Sequence, residues 1–270
     1  MNVWVNGIKV HVDVRGKGEP ILFLHGFPLR GDMWDPVLDE LEGTYRLIIP
    51  DLRGHGQSDA TKNWTIADLA EDQAGLLEEI DETHRVVVVG ASMGGYVALE
   101  FCRFFESCVR GVVLVDTRAE ADTAEAAKAR RETAEKVLHE GPQVVANSMI
   151  ERLFAPSCPS EVREHWRRVM LSMSPEGMAG ALRAMAGRSD SYETLRRLRV
   201  PTLIVVGEQD VITPSEHSKR MHEATVGSEL VVMPGVGHMP PIEAPKEFAE
   251  HMELFLKKVY AARRNAEGQS

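Results

Sequence analysis

One stretch of this chain decides its fold: Val86-Val87-Val88-Val89-Gly90-Ala91-Ser92-Met93-Gly94-Gly95. Four consecutive valines without polar alternation are typical of a strand buried on both faces of a parallel sheet. Beyond the turn at Ser92 the apolar residues recur at helical spacing, so the pattern changes from strand to helix within about three residues. A corner of this kind is where a nucleophilic serine is found.

Glycines flank the candidate nucleophile. Gly90 and Gly94 stand two residues before and two residues after Ser92. The G-x-S-x-G elbow needs small residues at these positions, because the serine takes a strained conformation and the strand and helix approach closely. The corner also places Ser92 at a helix N-terminus, where unpaired N–H groups favour negative charge. Taken alone, the pattern would also fit an ordinary turn; its strand and helix context favours the catalytic interpretation.

Buried apolar runs alternate with helical patterns along most of the chain. Residues 3–14 alternate apolar and polar on either side of Asn6-Gly7, which predicts an antiparallel hairpin. A helix is predicted after the N-cap Thr65, and a last helix from Pro245. Further strands are predicted at Ile21–Leu24, Arg46–Pro50, Val112–Asp116, Thr202–Gly207 and Glu229–Met233. The fold class is therefore α/β, with a mostly parallel sheet covered by helices on both faces. The end of the chain, Arg263–Ser270, is expected to fray.

The strand signal stops between about Ala119 and Arg188, where helical stretches are separated by proline-containing breaks. We predict a helical insertion at 119–188 in a core domain formed by 1–118 and 189–270. Methionines in the insertion are interpreted first as core filler, although flexible thioethers also suit an adaptable apolar pocket. Those that we assign to a candidate pocket are Met149, Met173 and Met178.

A serine hydroxyl is a weak nucleophile and needs a base, which in turn needs an orienting carboxylate. Asp210 follows one predicted strand and His238 follows the last strand, so Ser92, Asp210 and His238 stand in the order expected for successive strands of this sheet. Asp116 is the rival acid, because it also closes a strand after the serine. We assign Asp210 to the triad and Asp116 to local capping or pairing.

An oxyanion hole needs two preorganised N–H groups. The backbone N–H of Met93 is one candidate, and that of Phe27, in the loop after the strand ending at residue 24, is the other. The side chain of Met239 is a further candidate for the apolar pocket wall. His25 and His55 are interpreted as hydrogen-bonding groups of their loops, and His25 is also placed among the candidate pocket residues.

Composition limits the partners of the chain. The net charge is −10 and the isoelectric point is near 5.5, which argues against a nucleic-acid or anionic-membrane surface. The start of the chain lacks the features of a signal peptide, and no apolar run approaches a membrane span. Three cysteines without a C-x-x-C pair suit a reducing compartment, so we expect a cytoplasmic protein. No metal-site spacing or phosphate-binding loop is present, and no metal or cofactor is expected.

These motifs resemble those of the α/β-hydrolases, in the branch of serine esterases and lactonases. The motifs that carry the resemblance are His25-Gly26-Phe27-Pro28, Asp51-Leu52-Arg53-Gly54-His55-Gly56-Gln57-Ser58, Gly90-Ala91-Ser92-Met93-Gly94-Gly95, Gly207-Glu208-Gln209-Asp210 and Gly237-His238. The resemblance implies an eight-stranded sheet with a helical cap inserted after the sixth strand. Small carboxylesterases and 3-oxoadipate enol-lactonases are the most similar subfamilies.

The resemblance implies hydrolysis of short- or medium-chain carboxylic esters through an acyl-enzyme on Ser92. A lactone, an enol-lactone or a C–C bond is the alternative substrate, and a carboxylate on such a substrate would need a cationic partner. Candidates for that partner in the insertion are Arg152, Arg183 and Arg188. A non-catalytic small-molecule receptor is the alternative from another class. Oligomeric state is left open.

Overall fold

The structure is a computed structural model that describes the backbone of residues 1–267 and the side chains of residues 1–261. The predicted frayed end, Arg263–Ser270, reaches beyond the described residues. Within the described part, no helix combines the length and the apolar character needed to cross a bilayer.

Eight strands in residues 1–267 form one sheet in the order β1-β2-β4-β3-β5-β6-β7-β8. Their bounds are β1 Asn2–Val5, β2 Ile8–Arg15, β3 Glu19–Leu24, β4 Tyr45–Pro50, β5 Val86–Ala91, β6 Val109–Val115, β7 Thr202–Gly207 and β8 Glu229–Met233. The hairpin β1–β2 is antiparallel and β2 pairs antiparallel with β4, whereas the pairs from β4 to β8 are parallel. The predicted sheet, with its N-terminal hairpin at one edge, is confirmed.

Helices cover both faces of the sheet. One face packs against α2 (Ile66–Glu79), α3 (Met93–Phe104), α8 (Tyr192–Arg197) and α9 (Ser215–Ala224). The other face packs against α1 (Asp35–Leu41) and α11 (Pro245–Glu267). Successive strand residues enter opposite clusters, as Val88 and Val89 do, because side chains alternate across a strand. The predicted N-cap of α2 is also present, since the side chain of Thr65 accepts from the N–H of Asp68.

Five helices in the described chain lie between β6 and β7, and the first four of them occupy most of the predicted insertion. These four are α4 (Ala124–Glu140), α5 (Gln143–Leu153), α6 (Ser160–Leu171) and α7 (Pro175–Ala186). We refer to them together as the cap. The segments on either side of the cap meet, because Ser191 N–H donates to Ala119 O at 2.8 Å. Beside this bond, Arg188 pairs with Asp122 at 2.7 Å in a buried contact. The boundaries at 119 and 188 stay a prediction.

Close packing of β5 against α3 shapes the corner at Ser92. A Cβ atom on Gly94 would lie 2.1 Å from Leu24 O, and one on Gly90 would lie 2.3 Å from Gly94 O. Both distances are far inside van der Waals contact, and the atoms met belong to backbone that cannot swing aside. Glycine is therefore required at both positions by contact, which is the physical reason for the small residues predicted there.

We predict that Gly94→Ala destabilises the protein by about 3 kcal/mol or more, because the new methyl group must push the end of β3 away from α3. Thermal and urea unfolding measure the loss. Gly43→Ala is the matched control, since a Cβ there meets no atom within 4 Å, and its effect should stay within about 0.5 kcal/mol. Equal stability of the two variants would contradict the packing argument.

Candidate active site

Ser92 occupies a strained backbone conformation at the end of β5. Its φ of 51° and ψ of −113° lie in a region that residues other than glycine rarely adopt. Three contacts hold it there: Ser92 N–H donates to Val115 O at 2.9 Å, and Ser92 O accepts from Gly95 N–H at 2.9 Å and from the Thr117 hydroxyl at 2.7 Å. The side chain is half-buried, at the N-terminus of α3.

The loops after β7 and β8 bring Asp210 and His238 together. The Nδ1 atom of His238 lies 2.8 Å from Oδ2 of Asp210, and both side chains are buried. Burial alone would raise the pKa of Asp210, but the neighbouring His238 and the hydrogen bonds to the carboxylate hold it well below its usual value. Asp210 is therefore ionised and accepts a hydrogen bond from the Nδ1–H group of the imidazole.

This arrangement leaves the other ring nitrogen of His238 available. Nε2 is buried and has no hydrogen-bond partner among the described residues. With the proton on Nδ1, Nε2 carries a lone pair and can accept a proton. No hydrogen bond joins it to the hydroxyl of Ser92 in this structure. Such bonds are often long before substrate binds.

Asp116, the rival acid, lies beside the pair but makes a different contact. Its Oδ1 accepts from Gly207 N–H at 2.9 Å, a residue 91 positions away in the chain. Our assignment of Asp116 to local capping or pairing is therefore wrong: β6 and β7 are neighbours in the sheet, and their contact determines its partner. Asp116 has a positive φ of 41° and is almost fully buried.

The loop that carries Phe27 and the first residue of α3, Met93, both lie next to Ser92. A Cβ on Gly26 would stand 3.3 Å from Cβ of Ser92, so the loop carrying Phe27 passes directly beside the serine. Among the described residues, neither Phe27 N–H nor Met93 N–H donates a hydrogen bond to another group. Met93 is the first residue of α3, where N–H groups have no partner within the helix. Both amides are therefore available to an anion.

His25 and His55 are buried in the loops that frame the site, and Nε2 of His55 has no hydrogen-bond partner among the described residues. His25 Nε2 accepts from Leu52 N–H at 2.9 Å and Nδ1 contacts Gly26 O at 3.0 Å, so the ring bridges two backbone segments. Burial lowers the pKa of His25 to about 4 and that of His55 to about 3. Both rings are neutral at pH 7. For His25 these contacts match the loop-supporting role, and its place in a substrate pocket stays a prediction.

The candidate pocket methionines lie in different parts of the interior. Met173 and Met178 pack in the same apolar cluster as Phe27 and Met93. The remaining two are Met239, which belongs to the cluster on the other face, and Met149, which is half-buried between the two clusters. Two of the four thus belong to the same apolar cluster as Phe27 and Met93, and the place of all four in a substrate pocket stays a prediction.

The candidate cationic partners are mostly occupied. Arg188 pairs with Asp122 and its guanidinium lies over the ring of Tyr96 at 4.3 Å. Arg183 pairs with Glu135 at 2.7 Å, and Arg152 is exposed in the last turn of α5. A substrate carboxylate would therefore have to compete with an existing acidic partner of Arg183 or Arg188.

Asp116, Asp210 and His238 also form the one group of described acidic, cysteine and histidine residues whose donor atoms, within 4.8 Å of one another, are close enough for a metal ion. The 2.8 Å between Nδ1 and Oδ2 is the length of a hydrogen bond. The expectation that the chain uses no metal stays a prediction.

Sequence analysis missed Glu243, in the short helix α10 (Pro240–Glu243). Its carboxylate accepts from Gly237 N–H at 3.1 Å and Met239 N–H at 3.2 Å, on either side of His238, and from Ala155 N–H in the cap at 2.7 Å. His238 N–H in turn donates to Leu153 O at 3.0 Å. Glu243 therefore fastens the histidine loop to the cap. An acidic residue five positions after the histidine was the available signal.

We predict that Glu243→Ala lowers the free energy of unfolding by about 2–4 kcal/mol, because three N–H groups lose a charged acceptor. Chemical denaturation measures this loss. Glu250→Ala is the control, since Glu250 is an exposed acidic residue of α11. If the two variants were equally stable, the three hydrogen bonds would not hold the loop.

The comparison with known proteins identifies the family. A model of the alpha/beta hydrolase family matches residues 21–251. The chain belongs to this family. The eight-stranded sheet and the position of Ser92 between β5 and α3 agree with this assignment.

Similar structures and sequences include esterases and enol-lactonases. A thermophilic esterase from Thermogutta terrifontis is 40% identical, with a TM-score of 0.94 over 96% of this chain and 99% of the esterase. The enol-lactonase from Burkholderia xenovorans LB400 is 25% identical, with a TM-score of 0.89 over 95% of this chain and all of the enol-lactonase. A third relative, 3-oxoadipate enol-lactonase 1 of Acinetobacter baylyi, is 26% identical over 93% of this chain and 94% of its own length.

Proposed function

We propose that this protein is a serine hydrolase of carboxylic esters, with Ser92 as nucleophile, His238 as base and Asp210 as the orienting acid. The observation that carries the proposal is the buried Asp210–His238 hydrogen bond, which leaves Nε2 of the imidazole without a partner. The esterase from Thermogutta terrifontis, 40% identical over nearly the whole chain, supports the same substrate class.

The proposed reaction is acyl transfer to water. His238 Nε2 takes the proton of the Ser92 hydroxyl as the oxygen attacks the ester carbonyl. The negative charge that develops on the carbonyl oxygen is held by the N–H groups of Phe27 and Met93, each worth about 3–4 kcal/mol in comparable hydrolases. His238 then protonates the leaving alkoxide, and water releases the acyl group by the same steps in a second cycle.

Substrate size is proposed to be set by the cap, the insertion at 119–188. Met173 and Met178, in the insertion, belong to the same apolar cluster as Phe27 and Met93, which supports an apolar contribution of the cap to the site. An apolar site of this kind favours short or medium acyl and aryl esters over charged substrates. We also propose a cytoplasmic location, supported by three cysteines that form no disulfide.

Hydrolysis of a lactone or an enol-lactone, or of a C–C bond, by the same triad is the second candidate. The similarity to two enol-lactonases, each over more than nine-tenths of this chain, favours the enol-lactone. The acidic partners of Arg183 and Arg188 weigh against a substrate that carries a free carboxylate. An uncharged lactone is consistent with both observations.

We expect Ser92→Ala to lower kcat/KM for p-nitrophenyl butyrate by at least about a thousandfold, because the nucleophile is lost. Its melting temperature should stay close to that of the wild type. Ser157→Ala, at an exposed serine, is the control and should keep full activity. A fluorophosphonate should label the wild type at Ser92. Absence of both labelling and turnover would favour a non-catalytic receptor.

Among p-nitrophenyl acetate, butyrate, octanoate and palmitate, we expect the highest initial rate with a short or medium chain, because the proposed site is small and lined by apolar residues of the cap. The Ser92→Ala variant measures the background. A preference for palmitate would contradict the proposed pocket. Labelling at Ser92 without hydrolysis of any of the four esters would favour the lactone or C–C bond alternative.

A further inference from the structure

Asp116 is a buried carboxyl group that the proposed mechanism does not use. It is 1% exposed, and its Oδ1 accepts from Gly207 N–H at 2.9 Å. Its second oxygen, Oδ2, is buried and has no hydrogen-bond donor among the described residues. A buried carboxylate oxygen without a donor is costly, whereas a protonated one can itself donate to a neighbouring acceptor.

The neighbouring acceptor is the carboxylate of Asp210. One oxygen of Asp116, one oxygen of Asp210 and one ring nitrogen of His238 lie within 4.8 Å of one another. Two carboxylates in such a site do not both ionise, because burial and mutual repulsion act against the second charge. One of the two carboxyl groups therefore holds a proton at neutral pH.

The hydrogen bonds decide which group is charged. Asp210 accepts from Ile212 N–H at 2.7 Å, Thr213 N–H at 3.0 Å and the Thr213 hydroxyl at 2.6 Å, in addition to His238. Asp116 accepts only the one bond from Gly207. Four donors stabilise a negative charge far better than one donor does. The proton consequently belongs on Asp116.

We propose that Asp116 is a protonated carboxylic acid that donates a hydrogen bond to Asp210 and acts as a positioning residue for the Asp210–His238 pair. The inference rests on the proposed function of that pair. With Asp116 neutral, a single negative charge faces the imidazole. A second negative charge would repel that of Asp210 across a buried contact, and the hydrogen bond from Asp116 replaces this repulsion with an attraction.

Three titratable groups face Asp116 from the elements packed against it. They are Asp210 after β7, His238 after β8 and Glu243 in α10. Burial, the charge of Asp210 and, more weakly, the charge of Glu243 hold the pKa of Asp116 well above its usual value. Each of these effects favours the neutral acid, in agreement with the hydrogen-bond geometry.

Infrared difference spectroscopy of the wild type against Asp116→Asn tests the protonation state directly. Asparagine suits the positive φ of 41°, and its amide can accept from Gly207 N–H while donating to Asp210. At pH 7 we expect the difference spectrum to show loss of the carbonyl stretch of a protonated acid. Loss of a carboxylate band instead would overturn the proposal, whatever the activity of the protein.

Kinetics test the positioning role. Asp116→Asn should keep kcat/KM within about threefold of the wild type, and Asp116→Ala, which cannot donate, should lose roughly tenfold or more. The acid limb of the pH profile of kcat/KM should be the same in the wild type and Asp116→Asn. A shift of that limb to lower pH by about one unit would mean that the asparagine had removed a negative charge.

The result is distinguishable from failure of the proposed function. If Ser92→Ala kept full activity, the triad would be wrong, yet the infrared spectrum would still report the proton on Asp116. If dialysis against a chelator abolished activity and zinc restored it, a metal ion would replace the proposed proton. If Asp116→Ala does not fold, the infrared spectrum and pH profile of Asp116→Asn still decide the question.

Discussion

The backbone conformation of Ser92 is the constraint on which the site depends. A left-handed residue between a strand and a helix costs about 1–3 kcal/mol, and it persists only where its surroundings determine it. Here the determining contacts come from β6 through Val115, from Thr117 beyond that strand, and from the first turn of α3. The strain at the serine is thus balanced by ordinary sheet and helix interactions of its neighbours.

The same edge of the sheet gathers the ionisable groups, because the carboxyl ends of parallel strands meet there. Burial opposes charge at this edge, so each group is charged only where hydrogen bonds offset the loss of water. His25 and His55, supported by backbone atoms alone, are neutral. Asp210, with four donors, is ionised. The site therefore concentrates its negative charge on one carboxylate behind the imidazole.

Features that depend on neighbouring residues could be predicted from the sequence. The valine run of β5, the glycines around Ser92 and the Thr65 cap of α2 are local patterns, and the structure contains all three. The positions of Ser92, Asp210 and His238 after the ends of β5, β7 and β8 could be predicted because each residue directly follows a buried strand pattern or its short loop. Their joint action as a triad stays a prediction.

Features that depend on distant partners could not be predicted. Asp116 bonds to a residue 91 positions away, and Glu243 to one 88 positions away, so neither contact leaves a pattern in the local sequence. The partners of Arg183 and Arg188 were hidden for the same reason, since Glu135 and Asp122 lie 48 and 66 positions away in the chain. Charge and spacing identify such residues as polar, but only the packed chain shows what each one contacts.

The meeting of Ala119 and Ser191 has a consequence for the evolution of this protein. Because the chain leaves the sheet after β6 and returns to it before β7 at one place, the parts of this segment that do not bond to the histidine loop can change in length or sequence without moving either strand. Leu153 and Ala155 are held more strictly, since they bond to His238 N–H and to Glu243. Relatives can therefore diverge in most of the segment between Ala119 and Ser191 while the strands on either side of it are retained.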